Sequence, residues 1–224
     1  VFPLAVHYSG GSAQGIWYTE TLEGIGNINF APHRGLFYYN LLDSSVTSYL
    51  PSGAVFAGLS PDQTWAAYHQ GTGDVPGQAK GTITVKNLVT CEEMTMTFAQ
   101  PDSLGGWVEF SPDNQYVSWL ETFGPSPMDS EWRVRVSKTT GMTLVDAELD
   151  SLTSLTGGAA PEWIAFQMKW VDNHLLGLTL KPAGASDSVV VLWAPDPAQP
   201  LDPVLGANQS VVLANGRLIG LLYP

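Results

Sequence analysis

The sequence predicts an all-β chain folded as a small β-propeller of four or five four-stranded antiparallel blades. Three observations carry that expectation: a turn phrase that recurs, strand-like runs on both sides of each copy, and a second hairpin after each. The phrase reads Leu59-Ser60-Pro61-Asp62-Gln63, then Phe110-Ser111-Pro112-Asp113-Asn114, then more loosely Trp170-Val171-Asp172-Asn173. Proline presets φ for the second position of a type I turn, and Asp or Asn bonds its own backbone, so the phrase is turn chemistry rather than a catalytic motif.

In chain order, residues 4–8, 15–19 and 26–30 are strand candidates that would make a further blade, and residues 35–50 read as an outer hairpin with no evident inner one before it. Val55-Phe56-Ala57 enters the first turn phrase, and Thr64-Trp65-Ala66-Ala67-Tyr68 leaves it. Trp107-Val108-Glu109-Phe110 and Gln115 to Leu120 do the same for the second, and residues 175–179 follow the third. β-Branched and aromatic residues dominate these runs. The second hairpins pair residues 82–85 with 94–97 and 132–136 with 142–145, while 189–193 runs into a Pro-rich return. Two hairpins make four strands, and a unit of about 45 to 60 residues is the period of a propeller blade. Residues 210–222 read as an inner hairpin turning at Asn215-Gly216. An inner hairpin at one end and an outer one at the other predict a blade completed from both termini, which removes exposed strand edges.

The hydrophobic-Ser-Pro-Asp turn, the aromatic-bearing strand after it and the second hairpin resemble WD-repeat or TolB-type propeller blades over most of residues 54–200. Glycine usually follows Ser-Pro-Asp in that family. Here Gln63 and Asn114 hold the position, and no Trp-Asp dipeptide ends the units. The resemblance implies the propeller fold.

With 44% hydrophobic and 11% aromatic residues, 224 residues suffice to bury a sizeable core, and 23 Gly with 16 Pro supply the turns. The Ser/Thr/Gly/Ala-rich stretch at 150–162 is the one linker candidate and is too short to separate domains, so residues 1–224 read as a single propeller domain or a piece of a larger one. Net charge is −12 with no basic cluster, which excludes binding along a phosphate backbone and favours partners with a basic surface. Charged residues make up only 13%, leaving a neutral polar surface of the kind common outside the cytoplasm. The chain opens at Val1 without Met, which reads as a processed protein, and no run of about 18 apolar residues is present. Cys91 stands alone beside Glu92 and Glu93, whose charges disfavour its thiolate.

The search for chemistry yields little. No zincin, phosphate-loop, EF-hand or nucleophile-elbow spacing occurs, and His7, His33, His69 and His174 are dispersed, so neither a metal site nor a cofactor is expected. Glu109 on an inner strand and Glu162 just before the corresponding one are the candidate carboxylates of a glycosidase pair. The long connections between hairpins gather on one face of a propeller. They carry Asp74, Asp102, Phe123, Met128, Asp129, Asp150 and Asp187, an acidic and partly apolar surface suited to a protein partner. Trp65, Trp119, Trp132, Trp163, Trp170 and Trp193 fall within strands, where packing between blades is their expected duty. On these grounds the sequence favours a non-catalytic protein–protein interaction module, a subunit of an extracytoplasmic complex. The alternative is a propeller that binds or hydrolyses carbohydrate, and a third reading is the gating propeller of a prolyl-peptidase without its hydrolase domain.

Overall fold

The computed structural model describes residues 1–21, 33–70, 79–98, 100, 103–123, 131–139, 144–149, 166–195 and 210–214. Every regular element in them is a β-strand. The chain divides into two compact units, Val1–Leu59 with Gln63–Gly106, and Ser60–Asp62 with Trp107–Pro224.

The first unit opens with β1 (Phe2–Ser9), β2 (Ser12–Thr21), β3 (His33–Asn40) and β4 (Val46–Ser48), each paired antiparallel with the next. The hairpin at 35–50 is thus the outer half of a complete meander, and β1 and β2 are its inner half. Residues 26–30 lie outside the described residues. A second meander follows in β5 (Ala54–Leu59), β6 (Trp65–Gln70), β8 (Thr82–Asn87) and β9 (Glu93–Thr97). The short β7 (Ala79–Lys80) pairs with Leu104 and Gly105, the first residues of β10 (Leu104–Phe110). The strand therefore begins ahead of the Trp107-Val108-Glu109-Phe110 run read from the sequence. Two pairs, His33↔Phe56 and Arg34↔Val55, join β3 to β5.

The core of this unit gathers Trp17, Leu36, Leu50, Ala54, Phe56, Ala66, Tyr68 and Leu88. Alternation along β2 buries Trp17 and leaves Tyr18 half-buried, so one strand face is committed to the core. Trp17 meets Tyr38 and Tyr49 at ring-centroid distances of 4.9 and 4.8 Å. Gly15 leaves room for the Tyr38 ring, onto which any Cβ at that position would fall.

The second unit continues β10 into β11 (Tyr116–Phe123), β12 (Glu131–Lys138) and β13 (Leu144–Leu149). A last meander runs β14 (Gln167–Trp170), β15 (Leu176–Leu180), β16 (Val189–Trp193) and β17 (Ser210–Ala214). β17 pairs with β16 along its whole length, so it is the fourth strand of this meander and not the start of an inner hairpin as the sequence suggests. The Asn215-Gly216 turn lies outside the described residues. All five residues of β15 are buried, as a strand between two covered faces requires. Trp119, Trp132, Trp170 and Trp193 are fully buried, as expected of strand tryptophans in stacked sheets, and Trp163 lies outside the described residues.

The turn phrase folds alike in its first two copies. Ser60 Oγ donates to Asp62 Oδ1 at 2.7 Å, and Ser111 Oγ donates to Asp113 Oδ1 at the same distance. Gln63 and Asn114, standing where the resembling family has glycine, take left-handed φ values of 64° and 59°. In the third copy Asp172 Oδ1 instead accepts from the backbone N–H groups of His174 and Leu175, at 2.7 and 2.9 Å.

Candidate functional site

Counted back from the turn phrase, Glu109 on β10 and Lys169 on β14 hold the same position in successive meanders, one residue before Phe110 and Trp170. Alternation buries Val108, Phe110, Met168 and Trp170 and turns Glu109, Gln167 and Lys169 outward, while Trp107 is half-buried two residues before Glu109. Equivalent positions on neighbouring inner strands meet, and Lys169 Nζ lies 2.7 Å from Glu109 Oε2.

The backbone beneath this pair is fixed. The Glu109 carbonyl accepts from Trp170 Nε1 and from Ser118 Oγ, each at 3.2 Å. Trp170 stacks on Tyr116 at 5.8 Å, and Tyr116 meets His174 edge-on at 6.2 Å. Trp107, two residues before Glu109, meets Phe166 edge-to-face at 5.2 Å, and Phe166 meets the buried Trp132 at 5.7 Å. A charged pair and a half-buried indole thus sit on an aromatic footing made of β10, β11, β12 and β14.

Burial raises the pKa of the Glu109 carboxyl above its ordinary value, and the Lys169 ammonium pulls it back by charge and hydrogen bonding without cancelling the rise. A carboxyl that keeps its proton to higher pH is suited to donating it to a leaving group. A glycosidase also needs a second carboxylate about 5 to 10 Å away. Glu162, the sequence candidate for that role, lies outside the described residues. So do Asp74, Asp102, Met128 and Asp129. Phe123 closes β11, and Asp187 is exposed in the bend before β16, where Ser186 Oγ donates to it at 3.2 Å. Of the loop residues expected to form one surface, Asp187 alone therefore has a described side chain.

Among the described residues no three His, Cys, Asp or Glu side chains gather as metal ligands. His7 bonds Gln63, His33 stacks on Phe2 at 4.6 Å, and His174 lies against Tyr116. Cys91 is exposed at a left-handed turn position. Among the described residues no helix is long and apolar enough to cross a membrane. Sequence reasoning missed Lys169, although its register in the repeat, matching that of Glu109, was the signal that identifies it.

No family model matches the chain, and no curated protein does. Among solved structures it is similar to a GH74 enzyme of Niastella koreensis, with a TM-score of 0.52 and 16% identity over 84% of this chain and 28% of that one. The fold is a β-propeller. An oligogalacturonate lyase solved with manganese also matches, with a TM-score of 0.36 and 14% identity over 72% of this chain and 56% of that one. The propeller chain thus spans 28% of the length of the GH74 enzyme. The likeness to the GH74 enzyme, a glycoside hydrolase, corrects the expectation of a non-catalytic protein-interaction module and favours the alternative reading over it.

Proposed function

We propose that this chain is a segment of a carbohydrate-active β-propeller that holds a glycan across the strip formed by Trp107, Glu109, Gln167 and Lys169. The observation that carries the reading is the Glu109–Lys169 pair. It is a carboxyl raised by burial and tethered at 2.7 Å to a lysine on the first strand of the next meander, two residues from a half-buried tryptophan. Sugars ask for this combination: an aromatic surface for the C–H face of the ring, and charged or amide groups for its hydroxyls. The fold shared with a GH74 enzyme supports the reading. Glu109 is the proton-holding group of the site. In this proposal the repeats are of the TolB or WD-repeat type, supported by the Ser-Pro-Asp turns, and the protein works outside the cytoplasm, supported by its low content of charged residues.

The test is release of reducing ends from a panel of neutral and uronate glycans between about pH 4 and pH 8, with binding measured in parallel on a glycan array. The expected result is binding to at least one glycan class, with Glu109→Gln abolishing any turnover and leaving binding within about threefold. A chain that neither binds nor cleaves any member of the panel contradicts the proposal.

A further inference from the structure

Five described residues other than glycine have left-handed φ: Ser44, Gln63, Cys91, Trp107 and Asn114. Four of them lie in turns. Trp107, at 51°, lies inside β10. A bulky aromatic side chain in this region of backbone space is a true outlier, and such strain persists only where the surroundings impose it.

The repeat shows what the strain does. Phe56 lies as far before the first turn phrase as Trp107 lies before the second, and the β5–β6 ladder slips register between Phe56 and Gly58. The same place in both inner strands is therefore irregular. In β5 the irregularity leaves Phe56 in the core at 7% exposure, whereas in β10 the Trp107 ring stays half-buried against Phe166, two residues before Glu109. Bulged strands re-aim side chains in this way beside binding sites. Phe166 against the ring edge, itself braced by Trp132, fixes the indole in place.

We propose that Trp107 is the stacking platform for a neutral pyranose ring, held out of regular strand geometry for that purpose, with Glu109, Gln167 and Lys169 bonding the hydroxyls at its rim. This assignment rests on the carbohydrate reading above. Neutral sugar is the favoured class because a net charge of −12 repels a polyanionic chain, and the Lys169 ammonium is already matched by Glu109.

Replacing Trp107 by glycine separates platform from scaffold, since glycine accepts the left-handed φ without steric strain and removes the ring. Cellohexaose and a galacturonate hexamer serve as probes in isothermal titration of the 224-residue chain, with melting temperature as the control for folding. The expected result is that wild type prefers cellohexaose. Trp107→Gly melts at or near the wild-type temperature yet binds about tenfold or more weakly, and Trp107→Tyr binds within about threefold of wild type. Wild-type binding in Trp107→Gly overturns the platform and leaves the carbohydrate reading intact, as does a preference for the uronate hexamer that the variant retains. Should wild type bind neither hexamer nor any glycan of the array, the platform falls together with the reading on which it rests.

Discussion

At Gln63 and Asn114 one backbone position is occupied for two different reasons. Gln63 Oε1 accepts from Trp17 Nε1 at 2.9 Å and lies 3.2 Å from His7 Nδ1, while its Nε2 donates to the Val6 carbonyl at 3.2 Å. The side chain thus clamps β1 and β2 to the turn before β6, and those bonds outweigh a left-handed φ. Asn114 has no such duty: its carbonyl accepts from Thr139 Oγ1, a main-chain contact that glycine would keep. Gln63→Gly should therefore cost about 1 to 3 kcal/mol despite relieving strain, whereas Asn114→Gly should stay within about 0.5 kcal/mol of wild type or gain slightly. Urea unfolding of the two variants checks the contrast. At Glu109 the folded chain holds the proton more tightly than the unfolded one. Its contribution to stability is present below the ordinary carboxyl range and is lost as pH rises through the elevated folded value. Carboxyl-resolved NMR titration should place Glu109 above 4.5, with Lys169→Met moving it further up. A value at or below 4.5, or no upward movement in the variant, contradicts that assignment. The turn phrase was legible in the sequence because proline and aspartate act locally. The clamp was not, because it joins residues 46 to 57 positions apart.

At the scale of elements, β11 and β12 enclose a buried polar group that strand alternation alone does not foretell. Trp119 and Glu121 share a face of β11, and Trp119 Nε1 donates to Glu121 Oε1 at 2.8 Å in a fully buried setting. Arg135, opposite Trp119 on β12, places its Nη1 3.6 Å from the same oxygen and its guanidinium 5.9 Å from the indole. Removing the cation leaves a carboxylate buried beside one fewer partner, so Arg135→Met should cost about 3 kcal/mol, and the double variant Glu121→Leu/Arg135→Met should recover much of that. A double-mutant cycle by thermal unfolding reads the coupling. In the first meander, Gly15→Ala should lower stability by about 1 to 3 kcal/mol as the Tyr38 ring is displaced, which the same melts would show. Strand positions could be read from the sequence because β-branched and aromatic runs between turns suffice to mark them. The place of β17 could not: a fourth strand and a first strand have the same composition, and only pairing with β16 distinguishes them.

At the scale of the whole molecule, an all-β propeller follows from the repeat, since four-stranded meanders bury their faces only by stacking on further meanders. Function was less legible. Loop lengths and acidity pointed to a protein-binding face, but length and charge describe a surface without naming what it holds. The register of Lys169 can be read from the repeat, but its contact with Glu109 becomes visible only when the two strands are set side by side. The measurement that tests the carbohydrate assignment most directly is titration of the isotope-labelled chain with cellohexaose, following the indole N–H signals of its eight tryptophans by NMR. The account predicts saturable shifts at Trp107 and at Trp170, whose indole N–H bonds the Glu109 carbonyl, while Trp17, bonded to Gln63, stays still. Unmoved signals throughout, or shifts that spare Trp107 and Trp170, would contradict it.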